Sequence, residues 1–142
     1  MEIMLVDEQR FSAALEVYIA SWQESHRDVC TSDFLKYRDY DGYLKRKLGS
    51  LWMISDPEPV GVFSLSGEEF GDLYIHPAYQ KQGYGTACIR FALSQTHDLR
   101  LTVLSTNLSA IALYEKIGFR FTGNTIPLKN GLWEREMKYM EH

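Results

Sequence analysis

The stretch richest in chemistry is Leu73-Tyr74-Ile75-His76-Pro77-Ala78-Tyr79-Gln80-Lys81-Gln82-Gly83-Tyr84-Gly85-Thr86. An apolar, strand-forming run stops at Pro77, and a polar loop with two glycines follows. A helix begins inside that loop. The first turn of a helix has unpaired backbone N–H groups and a partial positive charge. Glycine lets a bulky anion reach them with no Cβ in the way, so the segment has the physics of a phosphate cradle. An ordinary tight turn is the bland alternative. Two nucleotide loops do not fit. The pattern G-x-x-x-x-G-K-S/T occurs nowhere in the chain. The dinucleotide fingerprint G-x-G-x-x-G/A is met by Gly83 and Gly85 but broken at Cys88. It also lacks an acidic residue about 20 positions on, where Val103–Ser105 lies.

The residues that remain do form a pattern. Gln80-Lys81-Gln82-Gly83-Tyr84-Gly85 fits Q/R-x-x-G-x-G/A, and Leu73-Tyr74-Ile75-His76-Pro77 is a strand-plus-proline lead-in. Downstream stands Asn107-x-x-Ala110-x-x-Leu113-Tyr114-Glu115-Lys116-x-Gly118-Phe119. Together these resemble the two signatures of the GNAT acyltransferases, at the family's usual spacing, over about 73–119. The family often has glycine where this chain has Lys81; lysine leaves the backbone donors intact. The resemblance implies acetyl-CoA as co-substrate, no metal, and a strand 69–75 that splays from the strand near 100–104 to admit the pantetheine arm. Leu73, Tyr74 and Ile75 would then line the arm. Gln80, Lys81, Gln82, Gly83, Tyr84, Gly85 and Thr86 would offer backbone amides to the pyrophosphate. Asn107 would face the arm from the other side, and it also suits a helix N-cap.

The same resemblance gives Tyr114 a catalytic role. When an amine attacks a thioester, the leaving thiolate needs a proton or a hydrogen bond. A phenol of pKa about 10, against about 8.5 for a thiol, stays protonated until then. The competing reading is a core tyrosine, because Tyr114 lies on the apolar side of its helix. The backbone N–H of Ile75 is the expected oxyanion donor. The base is not legible: Glu68, Glu69, Asp72 and His76 are all near, and each also reads as a surface group. In this architecture the acceptor enters opposite coenzyme A. Trp22, His26, Arg27, Phe34, Tyr37, Tyr40, Tyr43 and Trp133 would wall its path, most of them by packing.

These residues need a frame to hold them. Glu2–Val6 reads as a strand. Asp7 offers an N-cap for a helix over about 8–24, with Phe11, Leu15, Tyr18, Ile19 and Trp22 on one stripe. Ser32 offers a cap for a second helical stretch, interrupted at Gly42. From Gly49 the period becomes two. Leu51–Ser55, Val60–Ser66 and Glu69–Ile75 are strands of an antiparallel meander, because their connections are too short for crossovers. A helix over about 83–96, a strand Leu101–Leu104, a helix from Asn107 to Gly118, and strands Phe119–Gly123 and Trp133–Tyr139 complete the order. The expected fold is mixed α/β: one GNAT-like domain, 1–142, with about seven strands and four helices. Its sheet is antiparallel first, then parallel where 69–75 faces 100–104.

Composition agrees. The chain has 142 residues, 45% hydrophobic and 24% charged, with a net charge of −4, which suits one soluble domain and disfavours a phosphate-gripping nucleic-acid binder. The longest uncharged run, Leu101–Tyr114, is 14 residues and carries Ser, Thr and Asn, too short and polar for a membrane span. Cys30 and Cys88 flank no His/Cys cluster and read as free thiols of a cytoplasmic protein. The leading expectation is an acetyl-CoA-dependent N-acetyltransferase acting on a primary amine of a small molecule or peptide by direct attack in a ternary complex. It would be cytoplasmic and a homodimer, with no nucleic-acid or membrane partner. The alternative is a catalytically weak acetyl-CoA-binding sensor or partner module.

Overall fold

The computed structural model describes residues 1–140. In chain order the elements are β1 (Glu2–Leu5), α1 (Phe11–His26), α2 (Ser32–Tyr37), α3 (Tyr40–Lys45), β2 (Leu51–Ser55), β3 (Pro59–Ser66), β4 (Glu69–Ile75), α4 (Tyr84–Gln95), β5 (Arg100–Leu104), α5 (Leu108–Ile117), β6 (Phe119–Pro127) and β7 (Trp133–Tyr139). All seven strands form one mixed sheet in the order β1-β2-β3-β4-β5-β7-β6. Every neighbouring pair is antiparallel except β4 and β5. The parallel pair is the one whose connection contains α4, as a crossover requires.

The central strands are apolar on both faces. Met53 and Val62 enter a core under α1 and α3 with Tyr18, Trp22 and Leu44. Their neighbours Ile54 and Phe63 enter a second core under α4 and α5 with Ile89, Leu101 and Phe119. Successive strand residues point to opposite faces, so an unbroken apolar run marks a strand with helices on both sides.

Several boundaries differ from expectation. Helix α1 starts at Phe11, because the Asp7 carboxylate accepts the Arg10 N–H at 2.9 Å and closes the turn before the helix. Thr31, not Ser32, caps α2, accepting from the Phe34 N–H at 3.1 Å. The next helical stretch splits at Arg38–Asp39 and not at Gly42. The Asp39 carboxylate accepts the Gly42 N–H at 2.9 Å, which starts α3 and occupies the space of a side chain at 42. The helices therefore number five among the described residues. Strand β6 runs past Gly123 to Pro127, because a register shift between Phe121 and Thr125 absorbs that glycine.

Candidate active site

The site starts from a strand pair that parts. β4 and β5 are in register at a single pair, Glu69 with Arg100, reinforced by the Arg100 N–H donating to the Glu68 carbonyl at 2.8 Å. Beyond it they diverge. β5 is taken up along its other edge by β7, from Arg100 with Lys138 to Leu104 with Glu134. β4 is bent by a bulge: Val62 faces Tyr74 and Ser64 faces Gly71, so Phe63 is opposed by both Asp72 and Leu73. Asp72 stands at φ 49, the left-handed conformation that lets the strand turn. The gap opens into a cleft of ≈ 1160 Å³ lined by Glu69–Ile75 of β4, Leu101–Leu104 of β5, and residues of α1, α3, α5 and the β6–β7 connection.

Backbone groups of β4 aim into this gap. The His76 N–H donates to the Val60 carbonyl on the β3 side at 2.8 Å. Alternation then turns the N–H and carbonyl of Ile75 toward β5. The Ile75 carbonyl accepts from the Gln80 side chain at 3.1 Å, and its N–H stays open to the cleft.

Leu73, Tyr74, Ile75, Gln80, Asn107 and Tyr114 all line this one cleft. Lys81, Gln82, Gly83, Tyr84, Gly85 and Thr86 are not among its lining residues; they form the turn into α4 and the first turn of that helix. Gly83 occupies the N-cap position at φ 88, and a Cβ there would meet nothing within 4 Å. The space on the Cβ side of Gly83, at the start of α4, is therefore open. Lys81 also takes a left-handed φ of 63, a conformation that suits glycine better than lysine. The Tyr84 hydroxyl donates to Asp56 at 2.8 Å, which pins the loop to the β2–β3 turn and commits that side chain.

On the far wall, Asn107 caps α5. Its Oδ1 accepts the Ala110 N–H at 3.2 Å, leaving the two Nδ2 protons for the cleft. Tyr114 lies two turns on, in a helix closed by Gly118 at φ 132, whose N–H returns to the Tyr114 carbonyl at 3.1 Å. A Cβ at 118 would stand 2.9 Å from the Tyr139 ring, so glycine is required there. Among the described residues the Tyr114 hydroxyl has no hydrogen-bond partner, and burial pushes its pKa up to about 12.

The base candidates separate. Glu68 is exposed and pairs with Arg100 at 3.7 Å. His76 uses Nδ1 to accept the Ala78 N–H at 3.1 Å, capping the 3-10 turn after β4. Asp72 is not a surface group: its side chain is 16% exposed, it accepts from the Tyr43 hydroxyl at 2.8 Å and the Ser64 hydroxyl at 3.0 Å, and Lys47 lies 3.5 Å away. Of the expected acceptor wall, His26 and Tyr43 line the cleft, while Trp22 and Tyr40 are buried in the core. Phe34 and Tyr37 face solvent at 53% and 74% exposure, and Trp133 at 40% also lies outside the lining. Sequence reasoning missed Lys47, Ser64, Leu128, Leu132 and Glu134, which line the cleft. None of these had a signal in the linear sequence; Glu134 enters as the register partner of Leu104 at the open end of β5.

A seven-stranded mixed sheet parted between two parallel strands, with a glycine turn at its mouth, defines the class of acyl-CoA-dependent acyltransferases. The chain belongs to the GNAT family of acetyltransferases: the family model matches residues 11–119. Its co-substrate is acetyl-CoA. The chain is 33% identical over 118 residues to the peptidyl-lysine N-acetyltransferase YjaB of Salmonella typhimurium, covering 78% of this chain and 79% of that one. It is 32% identical over 117 residues to YjaB of Escherichia coli, covering 78% of each. In structure it resembles apo YjaB of Escherichia coli in solution, with a TM-score of 0.75 and 22% identity over 99% of this chain and 98% of that one. It also resembles PaiA N-acetyltransferase of Thermoplasma acidophilum in complex with coenzyme A, at a TM-score of 0.71 and 17% identity over 97% and 98%. Among the described residues no three His, Cys, Asp or Glu side chains gather as a metal ion requires, and no helix is long and apolar enough to cross a membrane.

Proposed function

We propose that residues 1–142 act as a single acyltransferase domain that moves the acetyl group of acetyl-CoA to a primary amine by direct attack in a ternary complex. The observation that carries this reading is the parted β4–β5 pair, with the Tyr114 hydroxyl, which has no partner among the described residues, in the gap. The fit to the co-substrate rests on three features: an open edge on β4, an open space on the Cβ side of Gly83 at the start of α4, and free Nδ2 protons on Asn107. Leu73, Tyr74 and Ile75 would hold the pantetheine arm, and Asn107 would meet it from α5. The amides of Gln80 to Thr86 would hold the pyrophosphate. Bound acetyl-CoA supplies an activated thioester. The Ile75 N–H would steady the oxyanion that forms on attack. The Tyr114 hydroxyl would protonate the departing sulfur.

The acceptor is read as a lysyl side chain of a peptide, or failing that a small primary amine. Four lining carboxylates, Glu24, Glu69, Asp72 and Glu134, face one lining ammonium, Lys47. That balance favours a cationic acceptor. The relatives at 32–33% identity are named peptidyl-lysine N-acetyltransferases, which supports a peptide. The protein is further proposed to be a cytoplasmic homodimer. The deciding experiment is release of coenzyme A thiol with lysyl peptides, free amino acids and polyamines, run beside calorimetry with acetyl-CoA. Acetyl-CoA binding with amine-dependent thiol release is the expected result. Binding without release from any amine would replace transfer with a sensor module.

A further inference from the structure

One group in the cleft has no part in the steps above, and its hydrogen bonds fix its chemistry. His26 closes the last turn of α1, half-buried, its ring stacked on Trp22 with centroids 3.7 Å apart and planes 8° from parallel. Its Nδ1 lies 2.8 Å from the Trp22 carbonyl oxygen and 2.8 Å from the Ser25 hydroxyl. A carbonyl can only accept. The Ser25 hydroxyl directs its single proton to that same carbonyl, at 3.1 Å. Nδ1 is therefore the donor to both. The neutral ring carries its hydrogen on Nδ1, and the lone pair sits on Nε2, which has no hydrogen-bond partner among the described residues.

The groups around the ring keep it neutral. Burial lowers the affinity of His26 for a proton, the Trp22 carbonyl opposes this, and the Arg38 guanidinium reinforces it. Arg38 lies 4.1 Å from the Trp22 ring centroid. From β4 the Tyr74 ring approaches to 6.4 Å. Glu24, on the same turn of α1, is engaged by Gln80 at 3.4 Å. Arg27, the next residue, is exposed.

We infer that His26 is the general base of the acetyl transfer, its Nε2 taking a proton from the acceptor ammonium within the cleft. This rests on the reading of the chain as an amine acetyltransferase. The ammonium gives one proton to Nε2. The nitrogen lone pair so freed forms the C–N bond to the thioester carbon, and the C–S bond breaks. The sulfur takes the Tyr114 proton. The second nitrogen proton restores Tyr114 through solvent, and His26 releases its own proton to solvent. One proton is lost overall, and no oxidant or reductant is needed. Two of the rival groups are engaged elsewhere: Asp72 accepts from two hydroxyls beside Lys47, and His76, which lies outside the cleft lining, accepts the Ala78 N–H on Nδ1 and so carries its proton on Nε2. An imidazole is in general a stronger base than a carboxylate.

The test is the pH dependence of kcat/KM for a lysyl peptide between pH 5 and 9, in the wild type and in His26→Gln, with NMR of the imidazole nitrogens in the wild type. The wild-type profile should fall in acid with a midpoint below the ordinary imidazole value of about 6.5. His26→Gln should lose roughly 10²-fold in rate and lose that limb, with acetyl-CoA affinity unchanged, while loss of the ring stacked on Trp22 costs some stability. The NMR signal should show the proton on Nδ1. A His26→Gln enzyme with the wild-type rate and acid limb would overturn the assignment, as would a neutral ring protonated on Nε2, a readout that does not depend on the variant folding. A wild type that transfers nothing to the peptide would strike the acetyl-transfer reading itself, and the base with it.

Discussion

Tyr114 has two competing roles, and the structure gives each a different consequence. Its ring packs at 5.9 Å from Phe119, while its hydroxyl has no partner among the described residues and lines the cleft. Tyr114→Phe keeps the packing and removes no hydrogen bond, so stability should stay within about 0.5 kcal/mol. The turnover number should fall by roughly 10²-fold if the hydroxyl protonates the thiolate, because that interaction grows only in the transition state. Thiol release and thermal melting on the one variant read both quantities. Unchanged turnover in a chemistry-limited assay would return Tyr114 to the core. Burial holds its pKa at about 12, so the wild-type rate should show no alkaline limb from Tyr114 up to about pH 10.5.

The turn from β4 into α4 sets the next scale. If the pyrophosphate sits on the α4 amides, the space in front of Gly83 matters more than any charge in the loop. Gly83→Val puts a branched side chain into that space at φ 88, which no β-branched residue accepts without strain. Affinity for acetyl-CoA should fall at least tenfold, about 1.4 kcal/mol. Lys81→Ala should cost far less, because the residue contributes its backbone and its φ of 63 is unchanged. Calorimetry showing the reverse order would make the cradle a side-chain site. The turn needs a left-handed residue at Lys81, the conformation glycine takes most readily.

Across the whole molecule, acids that burial keeps protonated make stability depend on alkali. Burial pushes Cys88 and Tyr114 each up to about 12, and raises Tyr74 and Tyr43 further. In the unfolded chain a thiol ionises near 8.5 and a phenol near 10. Between those values and the folded ones, the unfolded state has released protons that the folded state retains, so stability falls as pH rises. It should be fully present below about pH 8 and decline through pH 9 to 10.5 in urea melts. A flat curve over that range would show that these groups ionise freely in the folded protein. The proposed homodimer is tested by sedimentation at micromolar concentration, where twice the chain mass is expected and a single chain mass would refute it.

The sequence by itself determined most of the frame. Strands β2, β4 and β7 lie where short apolar-rich runs bounded by turn residues placed them, because segments of that length and composition are buried in almost any sheet context. Gly118 and Asn107 were legible as the ends of α5 because cap chemistry is local. The loop glycines and Tyr114 stand in a linear signature, of which the structure brings Tyr114 into the cleft lining. Tertiary structure decided what required distant groups to meet. Asp72 reads as a solvent-facing strand residue, yet a bulge turns it toward Tyr43 and Ser64, partners 29 and 8 positions away. The split of the second helical stretch fell at Asp39, whose carboxylate competes for the Gly42 N–H more effectively than glycine breaks a helix. The proton on His26 is fixed by Trp22 and Ser25, a short-range geometry whose meaning depends on the cleft that β4 opens. The cleft itself exists because β7 claims β5 while the bulge bends β4 away, a competition between strands that lie far apart along the chain.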